Sequence, residues 1–261
     1  MKKVALFTVC AALAAAPAFA SANVLLNSNF ELPTNADSAN NTFPNWNEGD
    51  GSIVGTAGAT AVVAATGITG TSARLVTDKG NFVQSVTPAL SAFTFDVDFA
   101  MPDPGAPGNR GLNIFLTNSP GQGQINLRVV QGNAGKGTVQ VFSTAAANWQ
   151  TVLSNVVDYS AADLSTLAAN HLTVTADYTG GTPAYTVNVN GTASNSLSFT
   201  QNFPTPTNLG TLTFSSDFSQ VDYVIDNVSL TGTPVPEPAT AGLLALATTG
   251  LLARRRRRAG R

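Results

Sequence analysis

Cysteine and histidine are nearly absent from this 261-residue chain: each occurs once, as Cys10 and His171. A single cysteine leaves no intramolecular disulfide, and one Cys with one His excludes the usual zinc ligand sets. His171 offers one imidazole for general-base chemistry, and no Gly-x-Ser-x-Gly nucleophile elbow accompanies it. Charge is scarce too, with Asp, Glu, Lys and Arg making up 11% of the chain. Of thirteen cations, Lys2, Lys3, Arg254–Arg258 and Arg261 crowd the two ends. Between residues 23 and 233 only Arg74, Lys79, Arg110, Arg128 and Lys136 remain, against fourteen acids, a net charge of −9. Such a surface repels a phosphate backbone, which excludes nucleic acid as a partner. Phosphate-cradling glycine loops are also missing, since Gly121-x-Gly123 has no strand–helix context.

Both ends carry patterned segments. Lys2 and Lys3 precede an apolar stretch, Val4 to Ala16, which Pro17 breaks before a run of small residues. This is the pattern of a secretory signal peptide, removed on export. Cleavage after Ala22 gives a mature start at Asn23, with cleavage after Ala20 as the alternative. Cys10 falls inside the apolar stretch, so the exported body is expected to hold no thiol at all.

At the other end, Pro234-Val235-Pro236-Glu237-Pro238 precedes an uncharged run, Ala239 to Ala253, and then Arg254, Arg255, Arg256, Arg257 and Arg258. The prolines stop regular structure arriving from the body. The 15-residue run is shorter than the roughly 20 residues that span a bilayer. The arginines resist translocation and keep the C-terminus cytoplasmic. Order and spacing from Val235 to Arg258 resemble the PEP-CTERM sorting signal of Gram-negative bacteria. That resemblance implies an exosortase-type membrane protease as partner and transient anchoring in the inner membrane by a hydrophobic helix. It also implies a final place at the cell surface or in the exopolysaccharide matrix. A permanent C-terminal anchor is the alternative.

The intervening residues, 23 to 233, read as one strand-rich domain. Phe93, Phe95, Val97 and Phe99 alternate with Thr94, Asp96 and Asp98. Leu172–Tyr178, Tyr185–Val189, Ile125–Val129 and Thr138–Val141 alternate likewise. A period of two marks antiparallel strands with one face in a core. Turn chemistry divides them at Pro102–Gly111, Asn133–Gly135, Thr179–Pro183 and Asn190–Gly191. One short helix is expected over Ala161–Ala169, with Ser160 as its cap. The expected fold is all-β, a two-sheet antiparallel jelly-roll sandwich.

Val24-Leu25-Leu26-Asn27-Ser28-Asn29-Phe30-Glu31, with Trp46 following, resembles the opening of galactose-binding-like carbohydrate-binding modules; Val224–Leu230 resembles their closing strand. Ser28 departs from the usual glycine. The middle, His171–Thr175 through Asn190-Gly191, is closer to laminin-G and legume-lectin sandwiches. The first resemblance implies a structural Ca²⁺ held by Asp226 with Glu31. Asp226 shares strand parity with Val224, Val228 and Leu230, and a buried carboxylate must be paired. The other reading turns Tyr223 and Ile225 inward and leaves Asp226 in solvent.

Sugar binding by stacking needs an aromatic beside hydrogen-bonding groups. Trp149, between Asn148 and Gln150, is the leading platform; Trp46 is expected to cover one end of the core, and Tyr178 and Tyr185 to pack within or at its edge. Asp96 and Asp98 are placed on a sugar-binding face together with Arg128 and Gln140. Two carboxylates at that spacing also suit glycoside hydrolysis, though a solvated face is the simpler reading. No catalytic residue is assigned. The expected function is that of an exported, non-catalytic surface or matrix protein with a carbohydrate-binding-like body. The alternatives are a jelly-roll hydrolase or lyase using Asp96, Asp98 or Glu48, and a purely structural surface protein.

Overall fold

The computed structural model describes residues 25, 46–48, 73–75, 81–106, 109–118, 123–132, 135–143, 148–159, 169–179, 183–199, 208–215, 219 and 221–235. These residues form thirteen strands: β1 (Asn47–Glu48), β2 (Ala73–Leu75), β3 (Asn81–Ala100), β4 (Arg110–Thr117), β5 (Gly123–Gln131), β6 (Lys136–Ser143), β7 (Asn148–Asp158), β8 (Asn170–Asp177), β9 (Ala184–Val189), β10 (Thr192–Ala193), β11 (Leu197–Ser198), β12 (Leu209–Ser215) and β13 (Tyr223–Pro234). Every pairing is antiparallel. Of the expected helix, Ala161–Ala169, only Ala169 is among the described residues.

The long β3 belongs to both layers. Its first half, Asn81 to Leu90, pairs with β12 and β1. Its second half, Leu90 to Ala100, pairs with β8 on one side and β13 on the other. One layer therefore runs β3-β12-β4-β5-β6-β7, and the other holds β13, β3, β8 and β9. The alternation read from sequence sets the faces: Phe93, Phe95, Val97 and Phe99 are buried, while Asp96 and Asp98 turn outward. Phe95 of the second layer meets Phe214 of the first, with ring centroids 6.2 Å apart. Trp46 stacks flat on Phe82 at 4.5 Å and closes one end of this core. Each fully buried aromatic or branched side chain contributes about 1.5–3 kcal/mol through lost contact with water.

The free edges are drawn together as well. Asn170 donates from Nδ2 to the Asp158 carbonyl (3.0 Å) and accepts the Asp158 amide at Oδ1 (2.8 Å). Asn190 Nδ2 reaches the Val156 carbonyl at 3.0 Å. These bonds clip the end of β7 to β8 and the turn after β9. Asn190-Gly191 makes the expected hairpin turn, with φ of 51° and 83° that Asn and Gly tolerate. The turn expected over Pro102–Gly111 ends sooner, because Arg110 and Gly111 already belong to β4. Gly111 has no room for a side chain there: a Cβ would collide with the end of Met101.

Candidate functional site

The polar faces of β4, β5, β6 and β7 meet in one cleft. Residues directly opposite on antiparallel strands share a face. Asn113 lies opposite Arg128, and Phe115 opposite Asn126. Arg128 lies opposite Gln140. Phe142 lies opposite Trp149, and Gln140 opposite Thr151. The alternate residues Ile114, Leu127, Val139 and Val141 fill the core beneath. The cleft has a volume of about 320 Å³. Its walls are aromatic (Phe115, Phe142, Trp149), amide (Asn113, Asn126) and guanidinium (Arg110, Arg128).

Arg128 is held firmly at the centre. Its Nε donates to Gln140 Oε1 at 2.8 Å, and its guanidinium carbon lies 4.1 Å from the centre of the Trp149 ring. Phe142 meets Trp149 nearly edge-on, with centroids 5.5 Å apart. Partial burial, and then the neighbouring Arg110 charge, push the Arg128 guanidinium down to about 10. It stays charged at neutral pH. Behind it, Asn113 is fixed by bonds from Nδ2 to the Gly111 carbonyl (2.9 Å) and Ser219 Oγ (3.1 Å). Asn126 lines the cleft with a buried Oδ1 that has no hydrogen-bond partner among the described residues.

Trp149, Arg128 and Gln140, named from sequence, are thus brought together. One correction concerns Trp149: it is not a bare platform, because one face of its ring is covered by the guanidinium. A second concerns Asp96 and Asp98, which do not join this face. They lie on the outer side of the other layer, since the apolar faces of both layers turn toward the shared core. There Asp98 Oδ1 is 2.7 Å from His171 Nδ1, and Asp98 Oδ2 accepts from Asn227 Nδ2 at 3.0 Å. Asp96 Oδ1 accepts from Thr173 Oγ1 at 2.7 Å and lies 3.5 Å from His171 Nε2. Each carboxylate is engaged by neighbours on β8 or β13.

The remaining aromatic candidates are structural. Tyr178 and Tyr185 pack on Phe199, with centroids 4.9 and 5.0 Å away. Burial pushes the Tyr185 hydroxyl up to about 12. Arg110, Asn113, Phe115, Asn126 and Phe142 were not assigned to a binding face from the sequence. The readable signal was alternation in Leu112–Leu116 and Val139–Phe142, which puts them on polar strand faces without saying that those faces adjoin.

Asp226 is fully buried, and so are Tyr223, Val224 and Ile225, so the solvent-facing reading of this carboxylate is corrected. Both faces of β13 are covered at Tyr223–Asp226, with Asp226 opposite Asp98, and the register then slips between Asp226 and Ser229, where Asn227 adopts φ 48°. Asp226 Oδ1 accepts the Asn227 amide at 2.7 Å. Its expected calcium partner, Glu31, lies outside the described residues. Among the described residues no group of three or more His, Cys, Asp or Glu side chains is placed to hold a metal ion. In the sorting segment, β13 runs to Pro234 opposite Leu90, and the Val235 amide donates to the Ala89 carbonyl at 2.8 Å. Pro236, Glu237, Pro238, the apolar run and Arg254–Arg258 lie outside the described residues, as do residues 1–22.

Residues 234–258 match the PEP-CTERM protein-sorting motif. No curated protein sequence matches the chain. Among solved structures, the fold is similar to that of a carbohydrate esterase from the Shiga toxin-encoding bacteriophage phi24B. That match has 12% identity and a TM-score of 0.55, covering 82% of this chain and 100% of the other. The alginate lyase Aly36B aligns at 14% identity and a TM-score of 0.46 over 65% of this chain and 84% of its own. The alginate lyase vAL-1 from Chlorella virus aligns at 15% and 0.40 over 62% and 85%. The motif implies export, transient membrane anchoring and exosortase processing, so this chain is an all-β sandwich carrying a PEP-CTERM protein-sorting motif at residues 234–258.

Proposed function

We propose that the chain is an exported, non-catalytic surface or matrix protein whose sandwich binds an extracellular glycan in the Arg128–Trp149 cleft. The observation that carries this reading is the composition of the cleft wall. Aromatic rings suit the C–H faces of a sugar, and amide and guanidinium groups suit its hydroxyls. Among the described residues lining it there is no carboxylate, imidazole, phenol or hydroxyl to move a proton at neutral pH. Asp96 and Asp98, the acids that hydrolysis would call on, sit on the opposite layer.

Sugar hydroxyls exchange water for protein at small net gain, so the affinity is expected to be weak. Exported protein should be retained on a polysaccharide column, and Trp149→Ala should shorten that retention while the melting curve stays cooperative. Release of reducing or unsaturated ends from any glycan, lost in Asp96→Asn or Asp98→Asn, would establish an enzyme instead. Failure to bind any glycan would leave a purely structural protein.

The calcium reading stands on Asp226, a buried acceptor of the hard type that Ca²⁺ takes, with Glu31 as second ligand. A chelator should then lower the melting temperature, and added Ca²⁺ should restore it, because a ligand of the native state stabilises by mass action. An Asp226→Asn variant should be indifferent to both. A wild-type melting curve unmoved by chelator at fixed ionic strength removes the site.

A further inference from the structure

The amide side chains around the cleft differ in how the protein holds them. Asn113 commits Nδ2 to the Gly111 carbonyl and to Ser219 Oγ. Gln140 commits Oε1 to Arg128 Nε, and its Nε2 reaches Thr151 Oγ1 at 3.4 Å. Asn126 is the exception. Its Oδ1 is shielded from water and accepts no hydrogen bond among the described residues. The register accounts for this, because its neighbour across on β4 is Phe115, a ring with no donor to give. Buried polar side chains are nearly always satisfied, so an amide left this way in a cleft wall points to a partner from outside. The side chain as a whole is part-exposed, and rotation about χ2 turns its oxygen toward the cleft. Arg128, two residues along β5, is the converse. Its Nε is committed to Gln140 and its plane lies over Trp149, while its Nη groups donate to nothing among the described residues.

Residues two apart on a strand project from the same face, about 6.5 Å apart. A ligand group lying between Asn126 and Arg128 must therefore donate to the first and accept from the second. A trans secondary amide does both at once, because its N–H and C=O point in opposite directions. Its flanking methyl needs an apolar surface, and Phe115, Phe142 and Trp149 line the same cleft. The volume of about 320 Å³ lies at the small end of ligand clefts, on the order of one sugar residue rather than a chain. Resting on the reading of this cleft as a glycan site, we infer that its ligand carries an N-acetylated amino sugar, recognised through the acetamido group. The acetamido N–H donates to Asn126 Oδ1, its carbonyl accepts from the Arg128 Nη groups, and its methyl rests on the aromatic wall. A hydroxyl at the same carbon makes one of these bonds at a time and brings no methyl, so the acetamido group sets the selectivity.

The test titrates the exported protein with two matched pairs of neutral sugars and follows Trp149 by its fluorescence. The pairs are triacetylchitotriose with cellotriose, and N-acetylgalactosamine with galactose. Within each pair an acetamido group replaces the hydroxyl at C2 and the remaining skeleton is unchanged. In at least one pair the acetamido sugar is expected to bind about tenfold more tightly, the scale of one satisfied against one unmade hydrogen bond. Asn126→Leu, which keeps the size of the side chain and removes its oxygen, should bring that ratio close to one while leaving the affinity for the plain sugar unchanged. Asn126→Gln, a second variant that keeps the amide but displaces it, should lower the ratio in part. Lys136→Gln, which lies outside the cleft, should leave the ratio at its wild-type value. Circular dichroism and melting temperature establish that the variants are folded, and the wild-type ratio decides the matter even if they are not. Equal affinities within both pairs overturn the acetamido assignment and leave the glycan site standing. A preference that survives Asn126→Leu overturns the placement at Asn126. No response to either pair also overturns the assignment, and retention on the polysaccharide column then decides separately whether the glycan reading survives.

Discussion

Trp46→Ala is expected to destabilise the body by about 3–5 kcal/mol, the usual range for truncating a buried large aromatic. Only 4% of this side chain is exposed, and it stacks on Phe82 and meets Phe214 at 6.0 Å. Removing it strips contacts from both rings and opens a cavity at the end where the layers are joined by β3. Against a typical total of about 5–15 kcal/mol, that loss leaves a marginal fold. Urea unfolding followed by circular dichroism measures it: the midpoint should drop sharply with the slope unchanged. Trp46→Phe, which keeps the stacked ring, should lose less. Trp149→Ala is the contrast. That side chain is part-exposed on the edge strand β7, and its main partners are Phe142 and the Arg128 guanidinium. Its removal should cost little stability and act on binding. If the two variants destabilise equally, Trp149 is a core residue and the cleft is misassigned.

The two tryptophans also show how far the sequence could be read. Both sit in polar segments, Asn45-Trp46-Asn47 and Asn148-Trp149-Gln150, with no local pattern to separate them. What separates them is register: Trp46 falls onto the core side over Phe82, and Trp149 lands opposite Phe142 on a polar face. Strict alternation made the Phe93–Phe99 strand and its faces legible, and with them the sandwich. β7 escaped notice because β6 and β7 slip register twice, at Gly137/Val139 and Val139/Gln140, which breaks the period along its length. Asp226 was ambiguous because both faces of β13 are covered at Tyr223–Asp226, so that residues of both parities are buried. Asp96 and Asp98 were correctly placed on a polar strand face. A sandwich has two such faces, however, and period-two alternation does not say which layer a strand joins. The cleft therefore needed the order β4-β5-β6-β7, a tertiary fact, before Asn126, Arg128 and Trp149 were seen to line it together.

Replacing Arg254–Arg258 with serine is expected to abolish normal processing of the exported chain. The residues match the C-terminal end of the PEP-CTERM motif. Five adjacent guanidiniums make translocation of the terminus costly, which holds the segment in place while the apolar run, Ala239 to Ala253, sits in the membrane. That run is only 15 residues, short of the roughly 20 that span unaided, so its retention leans on the charge behind it. Without the arginines the tail should slip through, and full-length protein should appear outside the inner membrane with its C-terminus intact. The body should be unaffected: β13 ends at Pro234, and the amide of Val235, the last described residue, donates to the Ala89 carbonyl. Intact mass of the exported wild-type protein supplies the baseline, and it should end short of Arg261. A wild-type mass that still includes Arg261 would remove the exosortase reading, and a serine variant processed like wild type would show that the arginines play no part in retention.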